Sequence, residues 1–166
     1  MQDDQNKEMN THARRIEAAQ GYLVLGMHED ALVEVEGIDV DALPDRRSRA
    51  AYLEVVLEIA VASENWELGE SVARALQVVD PSHVGAYMHG AYCLHEMGQT
   101  ESALDLLRSG PPQLLGRPLY HYNLGCYHAV LGDHGQAVSC IREAIRLDPS
   151  LAGAAREDPD LKEVSL

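Results

Sequence analysis

A turn residue followed five positions later by a small residue recurs through this chain at intervals of 34 to 38 residues. The turn position falls at Gly132, at Gly98 and Glu64 in steps of 34 residues, and at Gly26 after a further 38. Repeats of this length each form one supersecondary unit, which buries its apolar face only by stacking on its neighbours. The chain is therefore predicted to be all-α, an array of helical hairpins, and this architecture favours a binding module over an enzyme.

Helix signals around these turns divide the chain into three parts. Residues 1-10 lack periodicity and are expected to be a disordered lead-in. Residues 11-151 carry the repeats, which are predicted at about 12-44, 46-81, 82-117 and 118-151. Residues 152-166 are expected to form a short terminal helix that covers the last apolar edge, because a terminal repeat needs a polar-faced cap.

Capping residues and breakers set the expected helix bounds. Asn10 or Thr11 is predicted to cap the first helix, Gly26 to end it, and Asp45 to cap the third helix. The remaining helices are predicted at 29-36, 46-62, 66-79, 82-97, 100-109, 118-131 and 136-147, with looser connections at 37-44 and 110-117.

The acidic charge balance limits the classes of partner. The net charge is -14, from 27 acidic and 13 basic side chains, so neither nucleic acid nor an anionic membrane surface is an expected partner. Solubility is the simplest explanation of the acidity, and a preference for basic partners is the alternative. No apolar run approaches the roughly 18 residues of a membrane helix. The polar start is unlike a signal peptide, and the three cysteines have no C-x-x-C spacing, so a reduced, cytoplasmic protein is expected.

The fourth copy resembles the tetratricopeptide repeat family, a helix-turn-helix unit of 34 residues. Small residues lie where the two helices of each copy are expected to cross, and proline ends the unit. The residues that carry the resemblance are Leu124, Gly125, Gly132, Ala137, Ile141, Ala144 and Pro149, with Ala19, Ala31, Ala91 and Ala103 at the crossings of the first and third copies. The second copy departs from the pattern, with Leu57 and Gly69 where small residues and alanine are expected. The resemblance implies a right-handed α-solenoid of about four hairpins with a C-terminal capping segment.

The same resemblance implies that the first helices line a concave groove for a partner segment. Met88, Tyr92 and Tyr122 are the expected apolar anchors, and Glu54, Glu58 and Glu96 are expected to select basic residues. The full predicted groove consists of Ile16, Gln20, Leu23, Glu54, Glu58, Val61, Met88, Tyr92, His95, Glu96, Tyr122 and Cys126. No lysine lies among these residues, so a free carboxylate is expected to be repelled from the groove.

Catalytic and metal-binding signals are weak. No nucleophile elbow, phosphate-binding loop or HExxH motif occurs, so the chain is predicted not to be an enzyme and to need no cofactor. His89, His95, His121 and His128 could in principle hold a metal, but none is three or four residues from another along a helix, as helical metal ligands usually are. A packing role is the preferred interpretation for His121 and His128, because the family resemblance places them at positions of inter-helix packing.

The sequence thus predicts a non-enzymatic adaptor or scaffold that binds a protein or peptide segment in its groove. A secretion or assembly chaperone is a narrower version of that interpretation. Two alternatives stay open: self-association into a homodimer through an apolar edge at the first or last repeat, and a metal-binding protein built on the four histidines.

Overall fold

The computed structural model describes the backbone of residues 2-165 and the side chains from residue 11 to residue 165. Met1 and Leu166, the first residue of the expected lead-in and the last of the expected capping segment, lie outside the described residues. Between them the chain is helical and has no strand. Its α-helices are α1 (Gln2–Val24), α2 (His28–Val35), α3 (Arg46–Ala62), α4 (Trp66–Val79), α5 (Val84–Glu96), α6 (Thr100–Arg108), α7 (Pro118–Val130), α8 (His134–Leu147) and α9 (Leu151–Glu157).

Helix bounds agree with the sequence prediction in most places. Helices α3 and α4 have the predicted bounds, and Asp45 caps α3 by accepting a 2.8 Å hydrogen bond from the backbone N–H of Ser48. Both ends of the chain differ from the prediction. Helix α1 begins at Gln2, so residues 2-10 are helical where a disordered lead-in was expected. The expected terminal helix ends at Glu157 and is followed by a 3-10 helix, Pro159–Leu161, because Pro159 cannot continue an α-helix.

All four predicted hairpin turns have the same backbone hydrogen bonds. In each, the residue after the turn position donates to a carbonyl five residues earlier: Met27 to Tyr22, Asn65 to Ala60, Gln99 to Leu94 and Asp133 to His128, at 2.8 to 2.9 Å. This is the Schellman motif, which requires a left-handed residue just past the helix end. Gly26, Gly98 and Gly132 fill that position with φ between 71° and 81°, and Glu64 fills it with φ 55°.

The small residues lie at the helix crossings, as predicted. The crossing alanines in the first, third and fourth copies are all fully buried: Ala19, Ala31, Ala91, Ala103 and Ala137. In the fourth copy, a Cβ on Gly125 would lie 2.6 Å from Cδ1 of Ile141 and 3.3 Å from the carbonyl oxygen of Ala137. Helix α8 therefore approaches α7 so closely that only glycine fits at this position.

The described chain divides into two compact units, one ending at His89 and one starting at Gly90. In the N-terminal unit, helices α1 to α4 surround two apolar clusters. One joins α1, α2 and α3 around Ile16, Val35 and Ile59, and the other joins α3 and α4 around Leu57 and Leu76.

The C-terminal unit is built around the α7–α8 hairpin, with α6 and the 3-10 helix Pro159–Leu161 packed on α7, and α9 packed on α8. Leu161 is only 3% exposed, so the final described turn is anchored by an apolar side chain. Within residues 2-165, no helix is long and apolar enough to cross a membrane.

Candidate functional site

The predicted groove residues fall into two sets, one in each unit. Ile16, Gln20, Leu23, Glu54, Glu58, Val61 and Met88 belong to the N-terminal unit, and Tyr92, His95, Glu96, Tyr122 and Cys126 to the C-terminal unit. Ile16 is 4% exposed and lies in the core between α1, α2 and α3, so it packs inside the unit instead of facing a partner. Leu23 and Val61 are partly buried against the same two apolar clusters.

In the N-terminal unit, Glu54 and Glu58 form a half-buried acidic face on α3. Oε1 of Glu54 lies 3.4 Å from Nε2 of His83, and this interaction lowers the pKa of the Glu54 carboxyl. Nδ1 of His83 accepts a 3.2 Å hydrogen bond from the backbone N–H of Ala86, which leaves the Nε2 proton for Glu54. Burial, followed by the charge of Glu54, raises the pKa of Glu58. A cation beside Glu58 would therefore relieve an unfavourable negative charge.

In the C-terminal unit, the predicted residues line a cleft of about 480 Å³. We call it the α5–α7 cleft. The end of α5 and the start of the next turn provide Tyr92, His95, Glu96 and Gly98, α7 provides Tyr122, Asn123, Cys126 and Tyr127, and the end of the chain provides Asp158, Pro159 and Asp160. All five predicted groove residues of this unit are thus brought together in one place.

Two carboxylates from the end of the chain form part of the wall of this cleft and contact side chains on α5 and α7. The hydroxyl of Tyr122 donates a 2.7 Å hydrogen bond to Oδ2 of Asp158, and the thiol of Cys126 lies 3.7 Å from the same oxygen. Nε2 of His95 lies 3.0 Å from Oδ2 of Asp160. The other ring nitrogen of His95 lies 3.0 Å from the hydroxyl of Thr100, so the imidazole is held from both sides. This face thus accommodates two carboxylates of the chain itself without any lysine, while the expected repulsion of a free carboxylate stays a prediction.

The donors on α7 stay protonated. Burial raises the pKa of the Tyr122 hydroxyl and of the Cys126 thiol, and the nearby Asp158 raises both further. The reactivity of cysteine depends on its thiolate, so Cys126 is suited to donate a hydrogen bond and poorly suited to act as a nucleophile.

The ring of Tyr127 completes the cleft wall. Its centroid lies 4.8 Å from that of His95, in a tilted stack. The Tyr127 side chain is almost fully buried, and its hydroxyl is the one buried side-chain polar atom that has no hydrogen-bond partner among the residues whose side chains are described. A buried hydroxyl without a partner is unusual and costs stability.

The four histidines considered as metal ligands have other partners or neighbours. His95 faces Asp160, Nε2 of His121 bonds the carbonyl of Leu115 at 2.8 Å, and His128 lies between Arg108 and Asp133. Burial lowers the pKa of His89, which belongs to the N-terminal unit.

Within the described part of the chain, the one group of three potential ligand atoms is Cys126, Asp158 and Asp160, within 4.8 Å of one another. Tyr122 and Cys126 face the carboxylate of Asp158, and His95 faces that of Asp160, so both carboxylates have partners within the protein.

Comparison with known proteins agrees with this architecture. The family model described as tetratricopeptide repeat matches residues 118-151, which are the α7–α8 hairpin and its flanking turns. Residues 118-151 therefore match one tetratricopeptide repeat. No match is found among curated protein sequences.

Solved structures share the fold of this repeat protein. MamA superposes with a TM-score of 0.72 at 14% identity, covering 92% of this chain and 86% of that one. YrrB, described as a repeat protein with an unusual peptide-binding site, superposes with a TM-score of 0.69 at 20% identity. The match covers 85% of this chain and 72% of YrrB. TTC0263, a thermophilic repeat protein of Thermus thermophilus, superposes with a TM-score of 0.56 at 15% identity. The match covers 90% of this chain and 98% of TTC0263. At these identities the likeness establishes the repeat fold alone.

The sequence prediction missed Asp158 and Asp160, which line the cleft, and Thr100, which contacts His95. A signal for two of them exists, because the repeat protein has three Asp-Pro turns: Asp80-Pro81-Ser82, Asp148-Pro149-Ser150 and Asp158-Pro159-Asp160. In the first two turns the aspartate accepts hydrogen bonds from the backbone N–H and the hydroxyl of the serine. In the third it accepts one from the backbone N–H of Asp160, whose carboxylate faces His95 instead.

Proposed function

We propose that this helical-repeat protein is a non-enzymatic interaction module that binds a segment of a partner protein. The observation that carries the proposal is the α5–α7 cleft, whose wall includes part of a short non-α-helical stretch of polypeptide, residues 158-161, that is held against α5 and α7. Aromatic and polar side chains from neighbouring first helices line the cleft, and clefts of this kind bind peptide ligands. The peptide-binding site named in the description of YrrB supports the same use of the fold.

The acidic face of α3 is a second contact point in this proposal. Glu58 is half-buried and has a raised pKa, so a lysine or arginine from a partner would stabilise its charged form. Glu54 is less available, because it is paired with His83. We therefore assign the selection of basic partner residues to Glu58 more than to Glu54.

Photo-cross-linking from defined positions tests the proposal. A photoreactive amino acid is placed at Tyr92 in the α5–α7 cleft, at Glu58 on α3, and at Ser139, an exposed control position on α8. We expect one discrete partner adduct in cell extract from Tyr92 or Glu58 and none from Ser139. Equal labelling at all three positions, or no discrete adduct at any of them, would contradict the proposal.

Self-association is a second candidate, supported by exposed apolar residues at the α1–α2 turn. Val24 is 87% exposed and Leu25 is 72% exposed, and Met27, Leu32 and Val33 are exposed beside them. A second copy of the chain could cover this patch. Light scattering across a dilution series, repeated with Leu25→Ser, tests this candidate. A dimer that the substitution dissociates would support it, and a monomer at all concentrations would exclude it.

A further inference from the structure

We infer that the α5–α7 cleft recognises an acidic partner segment with two carboxylates spaced as in Asp-x-Asp, and that residues 158-161 are an internal competitor for it. This inference rests on the proposed function and adds the chemistry of the ligand. It also differs from the sequence expectation, which favoured a basic segment.

The donors in the cleft select for negative charge. Tyr122, Cys126 and His95 come from two helices and all face carboxylate oxygens, at 2.7, 3.7 and 3.0 Å respectively. Hydrogen bonds to an ionised acceptor are about twice as strong as neutral ones. Cys126 is almost fully buried and His95 is largely buried, so an empty cleft would leave donors without acceptors. The cleft therefore requires an occupant that carries acceptors.

The bound segment has a fixed geometry that a peptide can reproduce. Oδ1 of Asp158 accepts a 3.0 Å hydrogen bond from the backbone N–H of Asp160, which forms a tight turn and sets the spacing of the two carboxylates. Pro159 restricts the backbone between them. Leu161 follows and is buried. The recognised unit is therefore two carboxylates two residues apart, followed by an apolar side chain.

The third Asp-Pro turn differs from the other two at the residue that enters the cleft. Serine stands at the corresponding position in the first two turns, where its hydroxyl bonds the preceding aspartate. Asp160 gives up that local hydrogen bond, and its carboxylate contacts His95 instead. The turn does not need an aspartate at this position, so Asp160 is explained by its contact with the cleft.

The internal segment is held in a way that permits exchange. Asp160 remains about one-third exposed, and its contact with the cleft is a single interaction with His95. The segment also leaves the buried hydroxyl of Tyr127, on the same cleft wall, without a partner. A tethered ligand benefits from a high effective concentration, so a partner in trans competes well only when the internal segment is weakened.

A peptide titration tests the inference with the full chain. The probe is a fluorescent peptide with the sequence of residues 155-165, and its control carries asparagine at the two aspartate positions. Both peptides are titrated into the wild-type chain and into Asp160→Ser, which restores the residue of the other two turns and so preserves the local fold. We expect the acidic peptide to bind Asp160→Ser about tenfold more tightly than wild type, since roughly one charge-assisted hydrogen bond of the competitor is lost. The asparagine peptide should not bind either chain.

A second substitution and a salt series locate the binding site. Tyr122→Phe in a chain that carries both Asp158→Asn and Asp160→Ser should weaken the acidic peptide by about fivefold to tenfold, because it removes one donor and the internal segment of that chain no longer presents a carboxylate to residue 122. Binding should strengthen as salt rises, since salt screens the repulsion between an acidic peptide and a chain of net charge -14. Equal affinities for the two peptides, or an unchanged affinity in Tyr122→Phe, would overturn the inference.

The remaining outcomes separate this inference from the proposed function and from self-association. A discrete cross-link from Tyr92 together with no binding of the acidic peptide would refute the acidic ligand and leave the interaction module intact. If neither the cross-link from Tyr92 nor binding of the acidic peptide is seen, both the acidic ligand and the interaction module are refuted. If Asp160→Ser dimerises in light scattering, the occupant in trans is the terminal segment of a second copy, which would overturn the assignment to a separate partner.

Discussion

The hydroxyl of Tyr122, on α7, donates a 2.7 Å hydrogen bond to Asp158, thirty-six positions later in the chain. This contact fastens the end of the described chain to the face that was predicted to bind a partner. Tyr122→Phe removes the donor and keeps the ring, so the contact can be tested with little change in packing.

Tyr122→Phe is expected to loosen the terminal segment without unfolding the hairpin beneath it. The backbone amides of Leu161 and Val164 donate local hydrogen bonds to Asp158 and Leu161, and hydrogen exchange reports their opening. We expect exchange at these amides to accelerate by about fivefold to tenfold, for a lost interaction of about 1 to 1.5 kcal/mol. Tyr87→Phe is the matched control, because Tyr87 bonds the carbonyl of Pro81 in the other unit. Equal acceleration in both variants would contradict the role of Tyr122.

Glu64→Gly is expected to stabilise the chain. Glu64 has φ 55° at the turn position where the other three hairpins have glycine. A left-handed conformation costs a residue with a Cβ about 1 kcal/mol. We expect the free energy of unfolding to rise by about 0.5 to 1 kcal/mol, measured by urea denaturation. Gly132→Ala is the reciprocal control and should destabilise the chain by about 1 kcal/mol, since a Cβ there meets no other atom within 4 Å and only the backbone conformation is at issue. A stability loss in Glu64→Gly would contradict the strain at this turn.

Gly125→Ala is expected to destabilise the α7–α8 hairpin by about 1 to 3 kcal/mol, because the new methyl group would overlap with Ile141. Ile141 is fully buried and has little room to move. The cost should shrink in an Ile141→Ala background, where the obstructing atoms are absent. A double-mutant cycle of unfolding free energies measures this coupling. If the cost of Gly125→Ala is the same in both backgrounds, the close approach of the two helices does not limit this position.

The folded chain is expected to lose stability in mild acid because of His128. Nε2 of His128 lies 2.9 Å from the guanidinium of Arg108, so the buried ring accepts a hydrogen bond and is neutral. Burial, and then the charge of Arg108, lowers the pKa of His128 below its usual value of 6.5. Because the unfolded chain binds this proton more readily, the contribution of His128 to stability is fully present above pH 6.5 and is lost as the pH falls through the lowered pKa.

Unfolding free energies measured from about pH 8 to about pH 5 check this prediction against His128→Gln, which keeps an acceptor for Arg108 and does not titrate. The advantage of wild type over the variant should shrink as the pH falls. An advantage that grows in acid would show that the folded state prefers the charged ring and would refute the prediction.

The hairpins could be predicted from the sequence because local rules determine them. Gly98 and Gly132 fix the turns through backbone conformation, and Ala103 and Ala137 fix the crossings through size. The same rules correctly placed Asp45 at the start of α3. Burial inside the unit was harder to predict. The position of Ile16 along α1 does not show whether its side chain is buried, because this depends on how α2 and α3 pack against α1.

The contents of the cleft could not be predicted, because they depend on a contact between distant parts of the chain. The repeat register placed His95, Tyr122 and Cys126 on one predicted face, and all three line the cleft, but the register does not predict where the residues after the last repeat lie. The replacement of serine by Asp160 in the third Asp-Pro turn was visible in the sequence. Its meaning depends on His95, which lies 65 residues earlier.

In this proposal the α5–α7 cleft binds acidic segments, and residues 158-161 cover its donors until such a segment displaces them. Amide NMR spectra of the Asp160→Ser chain, recorded while the acidic peptide is added, follow this exchange residue by residue. We expect the Leu161 and Val164 resonances to move as their segment is released, His95 and Cys126 to shift with the same saturation, and the asparagine peptide to change none of them. Saturable shifts elsewhere in the chain, with Leu161 unmoved, would contradict the proposal.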